Sequence, residues 1–429
     1  GEIAIAVKAD KLIYITDTNG IKINGNFVPT LKVKDINKYI KLKQITGGML
    51  PKVESAKKAV LNGVKKVHII NGTIEHSLLL EIFTNKGMDN FVSYGYNFLH
   101  KMLIEYPVVY NINYLWNIGF LLAFFLILQI VTGIILTMFY TCDITVAFTS
   151  IDYIMREVTS GWLFRYLHLN GASILFILLY MHILKAIYYN SYSTPRHTVW
   201  TIGFLIYLLL IIVAFSGYLL PWGQISYWAA LVITSLITVF QGGLGQTLLT
   251  WVWGGFILND ATLHRFFALH YLLPFIIIVL IFFHLLALHS IGSNNPLGIF
   301  LLKIDTIPFF PYSYLTDFFS IILFSIGSTF ILFFYPETFN HFDNYNYANP
   351  MITPEHIQPE WYFLPYYTVL RTIPNKIIGI FFLFVFIVII GLLPILDNIS
   401  FIKVFLFQRI NAKFFWFFFF NLIFLGFIG

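Results

Sequence analysis

From residue 116 onward the chain is a series of apolar runs broken by short polar stretches. A bilayer crossing needs about 20 largely apolar residues. Runs of that kind fall at 116–139, 167–189, 200–220, 266–288, 318–335 and 377–395. A seventh, 414–428, is cut short by the chain end. The run 225–240 is apolar over only 16 residues and carries Ser226, Thr234, Ser235 and Thr238, which predicts a helix lying along the membrane surface rather than through it. Before residue 88 the pattern changes. Leu12-Ile13-Tyr14-Ile15-Thr16 reads as a buried strand closed by a turn, 53–62 as a helix, Val67-His68-Ile69-Ile70 as a second strand, and 77–83 as a short apolar helix. The expected fold is mainly α: a polytopic transmembrane bundle of six full spans and one truncated span, behind a small incomplete α/β fragment.

Composition sharpens this. The chain is 58% apolar, 19% aromatic and 11% charged, with a mean hydropathy of +0.78, which excludes a disordered chain and an ordinary soluble enzyme. The single cysteine, Cys142, excludes a disulfide framework and a multi-cysteine metal or iron–sulfur site. Residues 1–87 hold 14 lysines, no arginine and 7 acidic residues, and so carry the positive charge; residues 88–429 hold 12 basic and 13 acidic residues and are close to neutral. The lysines are scattered, not gathered into the stripe a nucleic acid would need, so no nucleic-acid partner is expected.

With so few ionisable groups in the spans, the histidines stand out. His168 and His182 lie 14 residues apart in one span, and His270 and His284 lie 14 apart in another. Fourteen residues make about 21 Å and just under four turns, so each pair shares a helix face at two depths. A buried imidazole without a partner is costly in hydrocarbon. Single histidines of this kind are usually bonded to Ser or Thr on a neighbouring helix; two pairs at equal spacing favour metal ligation. If 225–240 does not cross, the two histidine helices run the same way, His168 meets His270, and His182 meets His284. Each couple can then ligate one haem b iron through imidazole nitrogens, giving two bis-histidine haems. Gly119 and Gly133 repeat the interval of 14 in the first span, and Gly203 and Gly217 repeat it in the third. Glycine at these places lets a flat ring approach, the plainer reading being close helix packing by small residues. Arg165 precedes His168 by three residues and Lys185 follows His182 by three, each on its histidine's face, where it can pair with haem propionates or snorkel to lipid phosphate.

Several runs carry a family resemblance: Trp116-Asn117-Ile118-Gly119, Gly161-Trp162-Leu163-Phe164-Arg165-Tyr166-Leu167-His168, Gly217-Tyr218-Leu219-Leu220-Pro221-Trp222-Gly223-Gln224, Arg265-Phe266-Phe267-Ala268-Leu269-His270, Gly292-Ser293-Asn294-Asn295-Pro296-Leu297-Gly298 and Pro359-Glu360-Trp361-Tyr362. In this order, over 111 to about 425, they resemble the cytochrome b subunits of ubiquinol–cytochrome c reductases. The resemblance implies a di-haem four-helix domain over 88–310 and C-terminal helices with a quinol-site loop over 311–429. It implies that Glu360 and Tyr362 act in the quinol-oxidising site, with Tyr367 and the 223–228 stretch lining it. It implies that His289, Asp317, Ser293 and Asn117 surround a quinone at the opposite membrane face. The implied reaction sends one electron from quinol to an external iron–sulfur protein and one across the membrane to quinone, with protons released on one side and taken up on the other. An iron–sulfur protein, a cytochrome c1-type subunit, membrane lipid and a second copy of the complex are the implied partners. A mitochondrial inner membrane is the implied location, a bacterial plasma membrane the alternative.

The leading segment carries a second resemblance. Ala9-Asp10-Lys11-Leu12-Ile13-Tyr14-Ile15-Thr16-Asp17, Gly47-Gly48-Met49-Leu50-Pro51-Lys52-Val53, Val67-His68-Ile69-Ile70-Asn71-Gly72 and His76-Ser77-Leu78-Leu79-Leu80-Glu81 are similar to the C-terminal part of acetylglutamate kinase. The glycine-rich loop and amino-acid-binding half of that family are missing, so 1–87 is expected to be an incomplete fragment without kinase activity. The match fails at Gly87, Met88 follows, and the join reads as two reading frames, natural or assembled in error. The alternative to a working electron carrier is therefore a non-functional fusion of truncated frames.

Overall fold

A computed structural model describes residues 1–18, 20–23, 26–28, 30–73, 100–102, 104–240, 242–298, 305–399 and 407–429. The chain divides into two compact units, Gly1–Glu105 and Tyr106–Gly429. The expected helix at 77–83 and the join at 87/88 lie outside the described residues.

In the first unit, α1 (Glu2–Ala6), β1 (Lys11–Thr16), the hairpin β2 (Ile21–Ile23) and β3 (Asn26–Val28), α2 (Val33–Lys41), α3 (Met49–Leu61) and β4 (Lys66–Asn71) follow in order. β1 and β4 pair in parallel with Leu12 opposite Val67 and Ile15 opposite Ile70. The alternation of polar and apolar positions puts Val53, Ala59 and Val64 into small cores. Both predicted strands and the predicted helix are present; α1, α2 and the hairpin were not foreseen, although Val33, Ile36, Tyr39 and Ile40 recur at helical spacing along α2.

The second unit runs β5 (Pro107–Val109), α4 (Ile118–Thr137), α5 (Ala147–Arg156), α6 (Gly161–Tyr188), α7 (His197–Leu219), α8 (Gln224–Ser235), α9 (Leu244–Trp253), α10 (Asp260–Ile291), β6 (Thr306–Pro308), α11 (Phe309–Phe334), α12 (Leu364–Thr372), α13 (Lys376–Ile399) and α14 (Phe407–Ile428). Among the described residues six helices are long and apolar enough to cross a membrane: Tyr114–Thr137, Gly161–Tyr188, His197–Leu219, Asp260–Ile291, Phe309–Phe334 and Lys376–Leu396. Gln224–Val239 and Lys413–Ile428 are shorter apolar helices, the former as expected for a surface element.

Local chemistry sets the helix limits. Asn259 caps α10, its side chain accepting from Ala261 N at 2.8 Å while its own amide donates to Thr262 Oγ1 at 3.0 Å. α10 ends where Gly292 adopts φ +91. Within α10, Pro274 removes the N–H that would serve the carbonyl of His270 four residues earlier. α4 packs on α6 and α7 on α10, and the apolar core between them includes Leu121, Phe125, Phe176, Leu178, Tyr207 and Ile277.

Candidate functional site

The paired packing brings the four histidines together in two couples. His168 on α6 and His270 on α10 face each other with ring centroids 6.1 Å apart and planes at 81°. His182 and His284 lie within electrostatic reach of each other one level away. This match needs α6 and α10 to run the same way, in keeping with α7 being the one described helix between them that is long and apolar enough to cross.

Partners fix the tautomers at the first level. His270 Nδ1 lies 2.8 Å from the Val213 carbonyl, which can only accept, so Nδ1 carries the proton. His168 Nδ1 lies 3.0 Å from Thr132 Oγ1, whose own proton goes to the Leu128 carbonyl at 2.7 Å, so Nδ1 is again the donor. Both Nε2 lone pairs are left free. With metal–imidazole bonds of about 2 Å, two rings sharing one metal have centroids no more than about 6 Å apart, and the two here are 6.1 Å apart. At the second level the buried Nδ1 atoms of His182 and His284 close no hydrogen bond among the described residues; Val199, 14 residues before Val213, turns its carbonyl toward His284 without completing one.

The four glycines stand beside the four rings. A Cβ built on Gly119 would lie 3.5 Å from His182 Cε1, on Gly133 3.1 Å from His168 Cε1, and on Gly203 3.0 Å from His284 Cε1. On Gly217 it would lie 2.8 Å from His270 Nδ1 and closer still to Cε1. A cavity of about 210 Å³, lined by Gly133, His168, Gly217 and His270, extends to Arg165, Tyr218, Glu360 and Tyr362. Free Nε2 lone pairs, glycine gaps and an apolar cavity fit a haem that His168 and His270 would hold at this level; the second level offers the same ring and glycine set.

Arg165 lies in the cavity wall, whereas Lys185 rests over the Trp116 ring with Nζ 4.1 Å from its centroid. Glu360 is presented by a tightly held segment. Trp361 Nε1 donates to Ser173 Oγ at 3.1 Å, Tyr180 donates its hydroxyl proton to the Tyr362 carbonyl, and the Tyr362 ring stacks on Phe176 at 4.1 Å. Burial pushes the Glu360 carboxyl up to about 7, against a hydrogen bond from Tyr218 and the charge of Arg165. Tyr367 does not reach the cavity wall; its neighbour Tyr366 is buried, its hydroxyl bonded to that of Tyr207. The 223–228 stretch instead seats the loop before Glu360: Gln224 N donates to Asn346 O at 2.9 Å, and Gln224 Nε2 to Ile352 O at 2.6 Å.

At the opposite end of the histidine helices, Asn117 and Asp317 are buried and His289 and Ser293 half-buried. Trp116 Nε1 donates to Asn294 O at 2.8 Å, bringing the start of α4 to the loop after α10. Sequence reasoning missed Thr132, Val213, Tyr180 and Tyr207. Thr132 directly precedes Gly133 in the repeat, a signal that was legible; carbonyl and hydroxyl partners of the others carry no spacing rule.

The bundle and its paired imidazoles define a multi-pass membrane protein of the haem-dependent electron-transport class. Family models agree: Cytochrome b/b6/petB matches residues 103–292 and Cytochrome b(C-terminal)/b6/petD matches 347–429, while the Amino acid kinase family matches 1–71. Cytochrome b of Cyanidium caldarium is 47% identical over 331 residues, covering 77% of this chain and 85% of the relative. That of Marchantia polymorpha is 49% identical over 327 residues, covering 76% and 80%. A solved structure described as Hyperthermophilic respiratory Complex III aligns with a TM-score of 0.68 at 35% identity, over 72% of this chain and 82% of its own. The chain belongs to the cytochrome b/b6 family.

Proposed function

We propose that residues 88–429 form the di-haem membrane subunit of a respiratory quinol–cytochrome c reductase, with 88–310 as the haem-binding four-helix domain and 311–429 as the C-terminal helices carrying the quinol-site loop. Residues 1–87 are read as an amino-acid-kinase-like fragment without kinase activity. The observation that carries the reading is the meeting of four imidazoles in two couples, each ring beside a glycine. His168 with His270 and His182 with His284 would hold the two haems, which when bound supply one-electron chemistry at two depths. Thr132 and the Val213 carbonyl hold the first two rings in the ligating tautomer. Arg165 and Lys185 offer charge to propionates.

Glu360 takes a proton from quinol on the outer side. A carboxyl raised to about 7 is poised for this: it is half ionised near neutrality and releases the proton again to solvent. Tyr218 holds it by a hydrogen bond, and Tyr362, stacked on Phe176, fixes the backbone two residues on. On the other side His289 and Asp317 deliver protons to a quinone, with Ser293 and Asn117 orienting it. Proton release at one face and uptake at the other couple the reaction to proton translocation. An iron–sulfur protein and a cytochrome c1-type subunit complete the complex, a homodimer in a mitochondrial inner membrane; the Complex III relative and the eukaryotic cytochromes b support this. A redox difference spectrum with stepwise titration of membranes carrying the protein should resolve two b-type haems. The absence of a b-type band ends the reading.

A further inference from the structure

Tyr106 precedes a proline, which confines it to extended backbone, and it leads into the ribbon of β5 and β6 with Pro107 opposite Pro308. Phe309 N donates to the Tyr106 carbonyl at 2.9 Å, tying the tyrosine to the head of α11. This brings the phenol onto the end of α10, where it lies nearly parallel on the His289 imidazole, centroids 4.1 Å apart and planes at 19°. A ring stacked in this way cannot turn without leaving its partner. Among the described residues His289 Nδ1, which is buried, closes no hydrogen bond, and the same is true of the Tyr106 hydroxyl and of Asn117 Nδ2. Ser293 lies beside that hydroxyl without completing a bond of good geometry. Arg196 braces the loop, its Nε donating to Gly292 O at 3.0 Å and Nη2 to Ser293 O at 3.3 Å. Buried polar groups left without partners are costly unless a ligand completes them. An aromatic wall with unused donors suits a flat ring bearing carbonyl acceptors.

We infer that Tyr106 belongs to the quinone-reducing site: its ring fixes the plane of His289, and its hydroxyl donates a hydrogen bond to a carbonyl of the bound quinone. The inference rests on the reading of His289 and Asp317 as that site. The test uses membranes carrying the assembled, haem-loaded protein, with Glu360→Gln closing the quinol-oxidising side, a reduced viologen dye supplying electrons to the haems, and decylubiquinone as the acceptor, the dye's direct reaction with the quinone being subtracted. Tyr106→Phe keeps the stack and removes the donor; the KM for decylubiquinone should rise about 2- to 10-fold with kcat nearly unchanged. Tyr106→Leu removes both, so kcat should fall as well. An unchanged KM in Tyr106→Phe overturns the inference, and so does a loss of rate that only tracks a loss of haem absorbance. His289→Gln and Asp317→Asn separate the two levels of the claim. If both leave decylubiquinone reduction intact with both haem bands present, the reading of the site fails. If they impair it while Tyr106→Phe does not, the role of Tyr106 alone falls.

Discussion

Alanine at each of the four ring-facing glycines should give a graded series. In a helix interior Gly→Ala gains about 1 kcal/mol. At Gly119 the new methyl would meet His182 Cε1 at 3.5 Å, an ordinary contact, so the gain survives and haem binding is kept. At Gly133 and Gly203 the contacts of 3.1 and 3.0 Å require a shift of a few tenths of an ångström, and overpacking of that order costs about 1–3 kcal/mol. At Gly217 the methyl overlaps the ring face, and His270 must move off the Val213 carbonyl it holds at 2.8 Å. Losing that buried bond adds about 1–3 kcal/mol. Set against the helix gain, the net cost is roughly 1–5 kcal/mol, and its middle is about a hundredfold in retention of the His168/His270 haem. Haem-to-protein ratios and low-temperature difference spectra of membranes read this directly. The order 119, then 133 and 203, then 217 is expected, with the other haem kept in Gly217→Ala. Equal haem content in Gly119→Ala and Gly217→Ala, or a reversed order, refutes the geometric argument.

His182→Ala should remove one b-type haem and leave the other; retention of both in the difference spectrum would exclude His182 as a ligand. Quinol oxidation should rise as pH increases through about 7, because Glu360 accepts a proton only when ionised and its carboxyl is raised to that value. Glu360→Gln should abolish that titration and slow the rate about 10²- to 10⁴-fold in a stopped-flow assay. Tyr207→Phe leaves the buried Tyr366 hydroxyl without that partner and should destabilise by about 1–3 kcal/mol, whereas Tyr207→Phe with Tyr366→Phe should recover most of the loss in thermal unfolding.

The spans and both histidine couples were legible because hydrophobicity and a fixed interval are properties of one helix at a time. The helix ends were less so. α10 starts at Asp260, ahead of the apolar run at 266, since Asn259 caps it there, and the continuous helix of α11 begins just after Phe310, whose backbone is extended (φ −94, ψ 131), ahead of the apolar run at 318, because Tyr312, Ser313, Tyr314 and Asp317 dilute hydropathy without preventing helix. Pairings between distant segments were invisible: the β5–β6 ribbon joins three-residue strands, and the bonds of Tyr180 to Tyr362 and of Tyr207 to Tyr366 span more than a third of the chain. The acidic residue at the cavity came only through family likeness, as a loop carboxylate has no periodicity to announce it.

The repeated interval of 14 works as a ruler shared by four separate helices. Adding or deleting one residue between His168 and His182 would swing everything beyond it by about 100° around the helix axis, and no compensating change elsewhere on the same helix could bring both rings back to their glycines. The number of residues between the marks is therefore fixed whatever their kind, and a length change in any one of α4, α6, α7 or α10 would dismantle one level of the stack and leave its neighbour standing.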